Sequence, residues 1–385
     1  MNHFIGSGIG SLSSEKAIKP FCHADLLTKT LVGRMQLRPA LITLIAMVVL
    51  NLPILIFATL YGLWETTPDR IGLLHHYNWW IYRLTSIPAT IFFFFWLPDG
   101  VTGVITGLKA NGVLDVPNQP SQEDALRQYV VEFDRSYSNK LWAVLSLIIS
   151  VGLVVLSQIP ELMEIRTWQT SHPIIFWYTV LLWGLIFFLG AMNVFRIVLS
   201  ITWFNRLFDR FKVDVKVLHP DKAGGLSPLG EFSVKIGYGI AVYGLAAVAG
   251  ILSESYLRTT QFTGPELSIR FLPLLVAYLV LAPIVFFLPI GAARSIMKKA
   301  KNAFIVQIAD QFEIDTIEIQ SLLASGADEL KRKLDKIEQL TKLYDIAIKF
   351  PVWPFNTENL IRFLSAISSP FVVALISILV TALRR

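Results

Sequence analysis

The sequence predicts an all-α fold: a polytopic transmembrane helical bundle of six to seven spans with a cytoplasmic helical hairpin. Three observations carry that expectation. Hydrophobic residues make up 54% of the 385 and charged residues only 16%, against about 25% charge in an average soluble domain. Six apolar segments, and a seventh candidate, are each long enough to cross roughly 30 Å of hydrocarbon as a helix. The basic residues alternate: 25 Lys and Arg fall in the N-terminal tail and every second interval, and 5 in the intervals between. The positive-inside rule places the rich side in the cytoplasm.

Residues 1–39 read as a cytoplasmic tail with Lys16, Lys19, Lys29, Arg34 and Arg38. Residues 40–293 form the six-helix region, with spans at Ala40–Leu63, Leu84–Ile105, Leu141–Ile159, Ile174–Trp203, Ile236–Ser253 and Phe271–Ala293. Pro98-Asp99-Gly100 interrupts the second span and offers a place for it to end. Loops 106–140 and 204–235 are cytoplasmic, whereas Arg70, Arg83, Arg166, Arg258 and Arg270 lie outside. Residues 350–385 hold the C-terminal membrane segment, Leu360–Leu383. Its length favours a crossing, and a re-entrant turn at Pro370 is the alternative. Trp64, Trp79, Trp80 and Trp168 at outer ends, with Trp142, Trp203 and Trp353 at inner ends, match an interfacial aromatic belt.

The interval 294–349 is the one substantial soluble element. Ser325-Gly326 divides it, and Asp328 begins a second helix. Leu330, Leu334, Ile337, Leu340, Tyr344 and Ala347 share one face of that helix. This is an amphipathic hairpin whose apolar seam faces its own other arm or another subunit.

The stretch "VLHPDKAGGLSPLG" at 217–230 is the least apolar part of the chain's middle. His219, Asp221, Lys222, Gly224 and Gly225 form a candidate ligand-binding group. Paired glycines can turn successive N–H groups toward an anion, with Lys222 assisting, and His219 with Asp221 can hold a metal or move a proton. The same residues also make a rigid turn, with Asp221 capping local backbone. The turn is the simpler reading, since no Walker pattern or metal-spaced cluster accompanies the loop.

H-P-D-K-A-G-G-L at 219–226 resembles a loop in bacterial multi-pass membrane proteins of no established activity. P-V-W-P-F at 351–355 is similar to the segment before their last apolar helix. The resemblance covers 13 residues and implies shared architecture, with no catalytic roles. With the basic bias, it implies a cell inner membrane protein with a cytoplasmic N-terminus.

Enzyme signatures are missing from the sequence: it contains no H-E-x-x-H and no G-x-S-x-G. One cysteine, Cys22, allows no intrachain disulfide. His75-His76 reads as interfacial rather than metal-binding, and no cofactor or metal site is expected. No basic, aromatic-interleaved patch points to nucleic acid. Polar groups inside spans are few: Asn51 beside Pro53, Asp99, Asn193 and Arg196. They are candidates for lining a pore, and interhelical packing is the plainer role for the asparagines. Arg196 can meet an anion or Asp99, or snorkel to headgroups.

The leading functional expectation is an oligomeric ion channel or pore, its partners being the lipid bilayer, further copies of the chain, and an ion or small anion. A membrane-anchored signalling or scaffold protein is the alternative. A membrane enzyme acting through His219 and Asp221 ranks third.

Overall fold

A computed structural model describes residues 26–114, 120–164, 167–211, 213–217, 219–261, 272–322 and 327–353, with isolated positions from 361 to 372. Apart from those isolated positions, the expected seventh segment, 360–383, lies outside the described residues, as do the Ser325-Gly326 divide and most of the N-terminal tail. Among the described residues the elements are helical, with two isolated bridges, Thr67–Arg70 and Ile71–Thr167. The chain divides into two compact units, residues 1–102 with 124–199, and residues 103–123 with 200–385.

Unit 1 is built on α1 (Pro39–Leu60), α2 (Tyr77–Leu84), α3 (Ser86–Ala110) up to Thr102, α4 (Pro120–Tyr137) from Asp124, α5 (Lys140–Glu164) and α6 (Pro173–Arg210) up to Leu199. Pro39 stands in the first turn of α1, where a missing N–H costs no helical bond. Ile42 of α1, Ile91 and Phe94 of α3 and Leu189 of α6 meet in one buried cluster. Ile54, Leu73, Trp79, Trp168 and Ile175 form a second, aromatic one. The opposite faces are apolar and bare: Leu44, Val49, Leu156 and Leu181 are all more than 60% exposed. Water would not tolerate such continuous apolar surface on a monomer. Four helices, at Pro39–Leu60, Tyr77–Ala110, Asp124–Ser157 and Pro173–Arg210, are long and apolar enough to cross a membrane. The protein is therefore a helical bundle with membrane-spanning capacity in at least these four.

The second span does not end at Pro98. Helix α3 runs through Pro98-Asp99-Gly100 to Ala110. Proline cannot donate to the carbonyl four residues before it, which leaves the Phe94 carbonyl without its helical partner. Arg196 of α6 supplies the missing donor, its Nη1 lying 3.0 Å from Phe94 O.

Unit 2 contains α7 (Ser227–Gln261), α8 (Leu272–Leu322) and α9 (Ala327–Lys349). Helix α7 packs on α8, and α8 on α9. Gly237, Ala241 and Gly244 are buried along α7, where small residues allow close helix packing. Helix α8 is one continuous helix of 51 residues, roughly 77 Å long at 1.5 Å per residue. The first arm of the soluble interval is thus the continuation of the sixth apolar segment.

Helices α8 and α9 are antiparallel. Asp315 meets Lys336 at 2.7 Å and Lys333 at 3.6 Å, and Lys333 also pairs with Glu318. Nearer the base, Lys301 Nζ donates to the carbonyls of Ile348 and Phe350, closing the C-terminus of α9. The Lys336 ammonium holds the Asp315 carboxyl below its usual range, against the opposing effect of its burial. The sequence-based seam is rotated from the real one. Leu334 and Tyr344 are 51% and 39% exposed, whereas Ile337, Leu340 and Leu343 are half-buried and Ala347 and Phe350 are buried. The stripe through Leu334 and Tyr344 leans to the side of the true contact line, because a cation–carboxylate cluster occupies part of that line.

This geometry separates two substitutions. Ile337→Lys places charge against α8 and should lower the hairpin's stability by about 2 kcal/mol. Leu334→Asp should leave the hairpin folded. Analytical size-exclusion chromatography with circular dichroism reads both. Loss of assembly in Leu334→Asp with unchanged helicity identifies Leu334 as an intersubunit contact, and an intact oligomer excludes it.

Candidate functional site

The 217–230 loop is organised by one carboxylate. Asp221 Oδ1 accepts the N–H of Ala223 at 2.9 Å and of Gly225 at 3.0 Å, and Oδ2 accepts that of Ser227 at 3.3 Å. Ser227 begins α7, so Asp221 also serves a helix start. His219 Nδ1 lies 2.8 Å from Asp221 Oδ1. The backbone amides around the glycines do form an anion nest, and the chain's own carboxylate fills it.

Three residues hold the reversal in the left-handed region: Lys222 at φ +55°, Gly224 at +67° and Gly225 at +88°. The glycines are required for space as well. A Cβ on Gly225 would stand 2.3 Å from Val113 Cγ2, and one on Gly224 would stand 2.5 Å from Val215 Cγ1 and 3.2 Å from Phe350 Cζ. Asn111 Nδ2 donates to Gly225 O at 2.8 Å, and Asp214 N donates to Val113 O at 3.0 Å. The loop therefore joins the end of α3, the start of α7 and the end of α9. Beside Phe350, Trp353 packs on Phe287 and under the Arg294 guanidinium, 4.3 Å from its ring centre. Phe350, which immediately precedes the 351–355 segment, thus lies beside Gly224 of the loop within unit 2. Ala223 through Leu226 are buried and Lys222 is exposed, so the lysine is the group best placed to meet a ligand.

Burial pushes the Asp221 carboxyl up, but the N–H groups of Ala223 and Gly225, with His219 and Ser227, outweigh it and hold it below the ordinary range. A depressed carboxyl contributes stability at pH above its unfolded value, near ~3.9, and loses it as pH falls through the folded value. The thermal midpoint of the wild type should fall steeply below about pH 4. Asp221→Asn should start lower at neutral pH and fall less steeply, retaining the part due to Asp315. Equal acid slopes in the two proteins would show that the Asp221 carboxylate is not the group responsible.

The four intramembrane polar candidates divide. Asn51 bonds within its own helix, Nδ2 to Met47 O at 2.6 Å, and Asp99 is half-buried in α3. Asn193 crosses to Thr90 O at 2.9 Å, and Arg196 crosses to Phe94 O. Arg196 is 1% exposed, so it does not snorkel toward headgroups. Its guanidinium lies 4.2 Å from the Phe94 ring centre and 5.4 Å from that of Tyr137. Asn193 and Arg196 thus form a polar line on α6 against α3, in unit 1, whereas the 217–230 group belongs to unit 2.

The histidines are also placed. His76 accepts the indole N–H of Trp168 at 3.1 Å, and burial holds its imidazole down at about 4, hence neutral at pH 7. His172 stacks on Tyr61 at 4.4 Å. Among the described residues no group of three metal-ligating side chains comes together. Sequence reasoning missed Arg83. Counted there as an outer-loop charge, it is 2% exposed on α2. The signal that could have found it is the spacing of Trp79, Arg83 and Ser86 along one helical face. No family model, curated protein or solved structure matches the chain.

Proposed function

We propose that the chain is a multi-pass inner-membrane protein of six or seven spans, with its N-terminus and the 294–349 hairpin in the cytoplasm, that assembles into an oligomeric ion channel or pore. The observation that carries this reading is the continuity of α8 from the apolar segment 271–293 into the soluble arm. A helix without a break transmits a displacement of the arm to the membrane segment, as a gating element requires. The arm is stiffened by α9 through the Asp315, Lys333 and Lys336 cluster. The scarcity of carboxylates in the spans suits conduction past amides, hydroxyls and apolar constrictions better than proton-coupled transport. The Asp221 loop serves as the structural joint between α3, α7 and α9.

The alternative, a membrane-anchored scaffold, draws support from a groove of about 580 Å³ on the hairpin, lined by Ile308, Phe312, Ile317, Thr341 and Tyr344. One experiment separates the two. Purified protein in liposomes should pass ions, and removal of 294–349 should alter that flux. An absence of flux, with a cytoplasmic partner captured by the intact chain and lost on the same deletion, favours the scaffold.

A further inference from the structure

Among the buried donor side chains of unit 1 that find no acceptor among the described residues, three stand within eight positions of one another. They are the indole N–H of Trp79, all three nitrogens of Arg83 and the hydroxyl of Ser86. Their exposures are 3%, 2% and 8%. Trp79 and Arg83 stand i, i+4 on one face of α2, and Ser86 opens α3 just after the break at Thr85. The Arg83 guanidinium lies 4.9 Å from the Trp79 ring centre, so one face of the cation is covered by aromatic surface. Tyr178 is within its electrostatic reach, but that hydroxyl is committed as a donor to Leu50 O at 2.9 Å. No described carboxylate makes an ion pair with Arg83.

An arginine buried without a counter-ion costs several kcal/mol, and the neighbouring bare groups raise that cost. What the cluster lacks is a negatively charged acceptor with several lone pairs. We infer that Trp79, Arg83 and Ser86 form an anion site, and that its ligand is a phosphate-type oxyanion. The guanidinium offers five N–H donors in a planar fork that fits two oxygens at once. The indole and the hydroxyl add two further donors, suited to an oxyanion with more than two acceptor atoms. Arg83 lies on the second turn of α2 over Trp79, whose ring packs edge-on against Trp80 and Trp168, and clustered tryptophans of this kind commonly sit at headgroup depth. The phosphate can therefore come from solution or from a lipid phosphodiester. The site stands whether or not the protein conducts ions.

The test uses the full-length protein in nanodiscs, first of phosphatidylcholine alone. Inorganic phosphate is titrated at ionic strength held constant with chloride, and the thermal midpoint is followed. In a second arm phosphate is omitted and phosphatidylglycerol is introduced, its retention being read by native mass spectrometry. The wild type should be stabilised by phosphate, or should retain phosphatidylglycerol. The first result assigns the site to a dissolved anion and the second to a lipid. Arg83→Gln should abolish whichever response is found. Trp79→Phe and Ser86→Ala keep shape while removing one donor each, and should weaken it about fivefold apiece. They keep the test decisive if Arg83→Gln does not fold. The inference is overturned if the wild type responds in neither arm, or if the donor-deleted variants respond as it does.

Discussion

Gly225→Val should cost roughly 4 kcal/mol, enough to remove most folded protein from a chain of ordinary marginal stability. Two effects add. At φ +88° a β-branched residue is strained, by about 1–2 kcal/mol. Its Cβ would also meet Val113 Cγ2 at 2.3 Å, an overlap that moves either the loop or the end of α3 and costs about 1–3 kcal/mol. Gly103→Ala is the control, since that glycine is helical, has nothing within 4 Å of an added Cβ and has no positive φ. It should be neutral or stabilising by about 0.5–1 kcal/mol. Thermal unfolding followed by size-exclusion chromatography in detergent reads both. Equal midpoints for the two variants would mean that the loop is not docked on α3 as described.

The second large effect lies at the crossing of α3 and α6. Arg196→Met takes from the Phe94 carbonyl the donor supplied by α6 and removes the cation from two aromatic rings. Relief of the guanidinium's desolvation offsets part of the loss, leaving a net cost of about 2 kcal/mol. Pro98→Ala restores an N–H to the Phe94 carbonyl from within α3. In that background Arg196→Met should be cheaper by about 1–2 kcal/mol. This double-mutant cycle isolates one hydrogen bond between residues 102 positions apart. Strict additivity would show that Arg196 does not serve the proline-freed carbonyl.

These cases show where the sequence could be read and where it could not. Apolar length alone located α1, α5 and α6, because each is a long run facing lipid or core. The span drawn to Ile105 does run through Pro98, but what makes the proline tolerable was not legible, since the donor sits on another helix. In the 217–230 loop the glycines and Asp221 announced a turn by residue type. The commitment of both Asp221 oxygens to three amides needed coordinates. On α9 the apolar residues stood out, but the buried Asp315 of α8 also pairs with Lys333 and Lys336 along the packed face. Hydropathy cannot foresee a charged seam. Arg83 was concealed by a different fact: α2 begins seven residues before the apolar run at Leu84, so its charge looked like a loop charge.

The central claim is that copies of this chain surround an ion path with the α8–α9 hairpins on the cytoplasmic side. Electron cryomicroscopy of the full-length protein in lipid nanodiscs tests it most directly. The account predicts a symmetric ring of subunits, six or seven spans in each, a continuous axial path, and hairpins projecting from the face rich in Lys and Arg. A monomer packed shut through the bilayer, or hairpins on the opposite face, would contradict it.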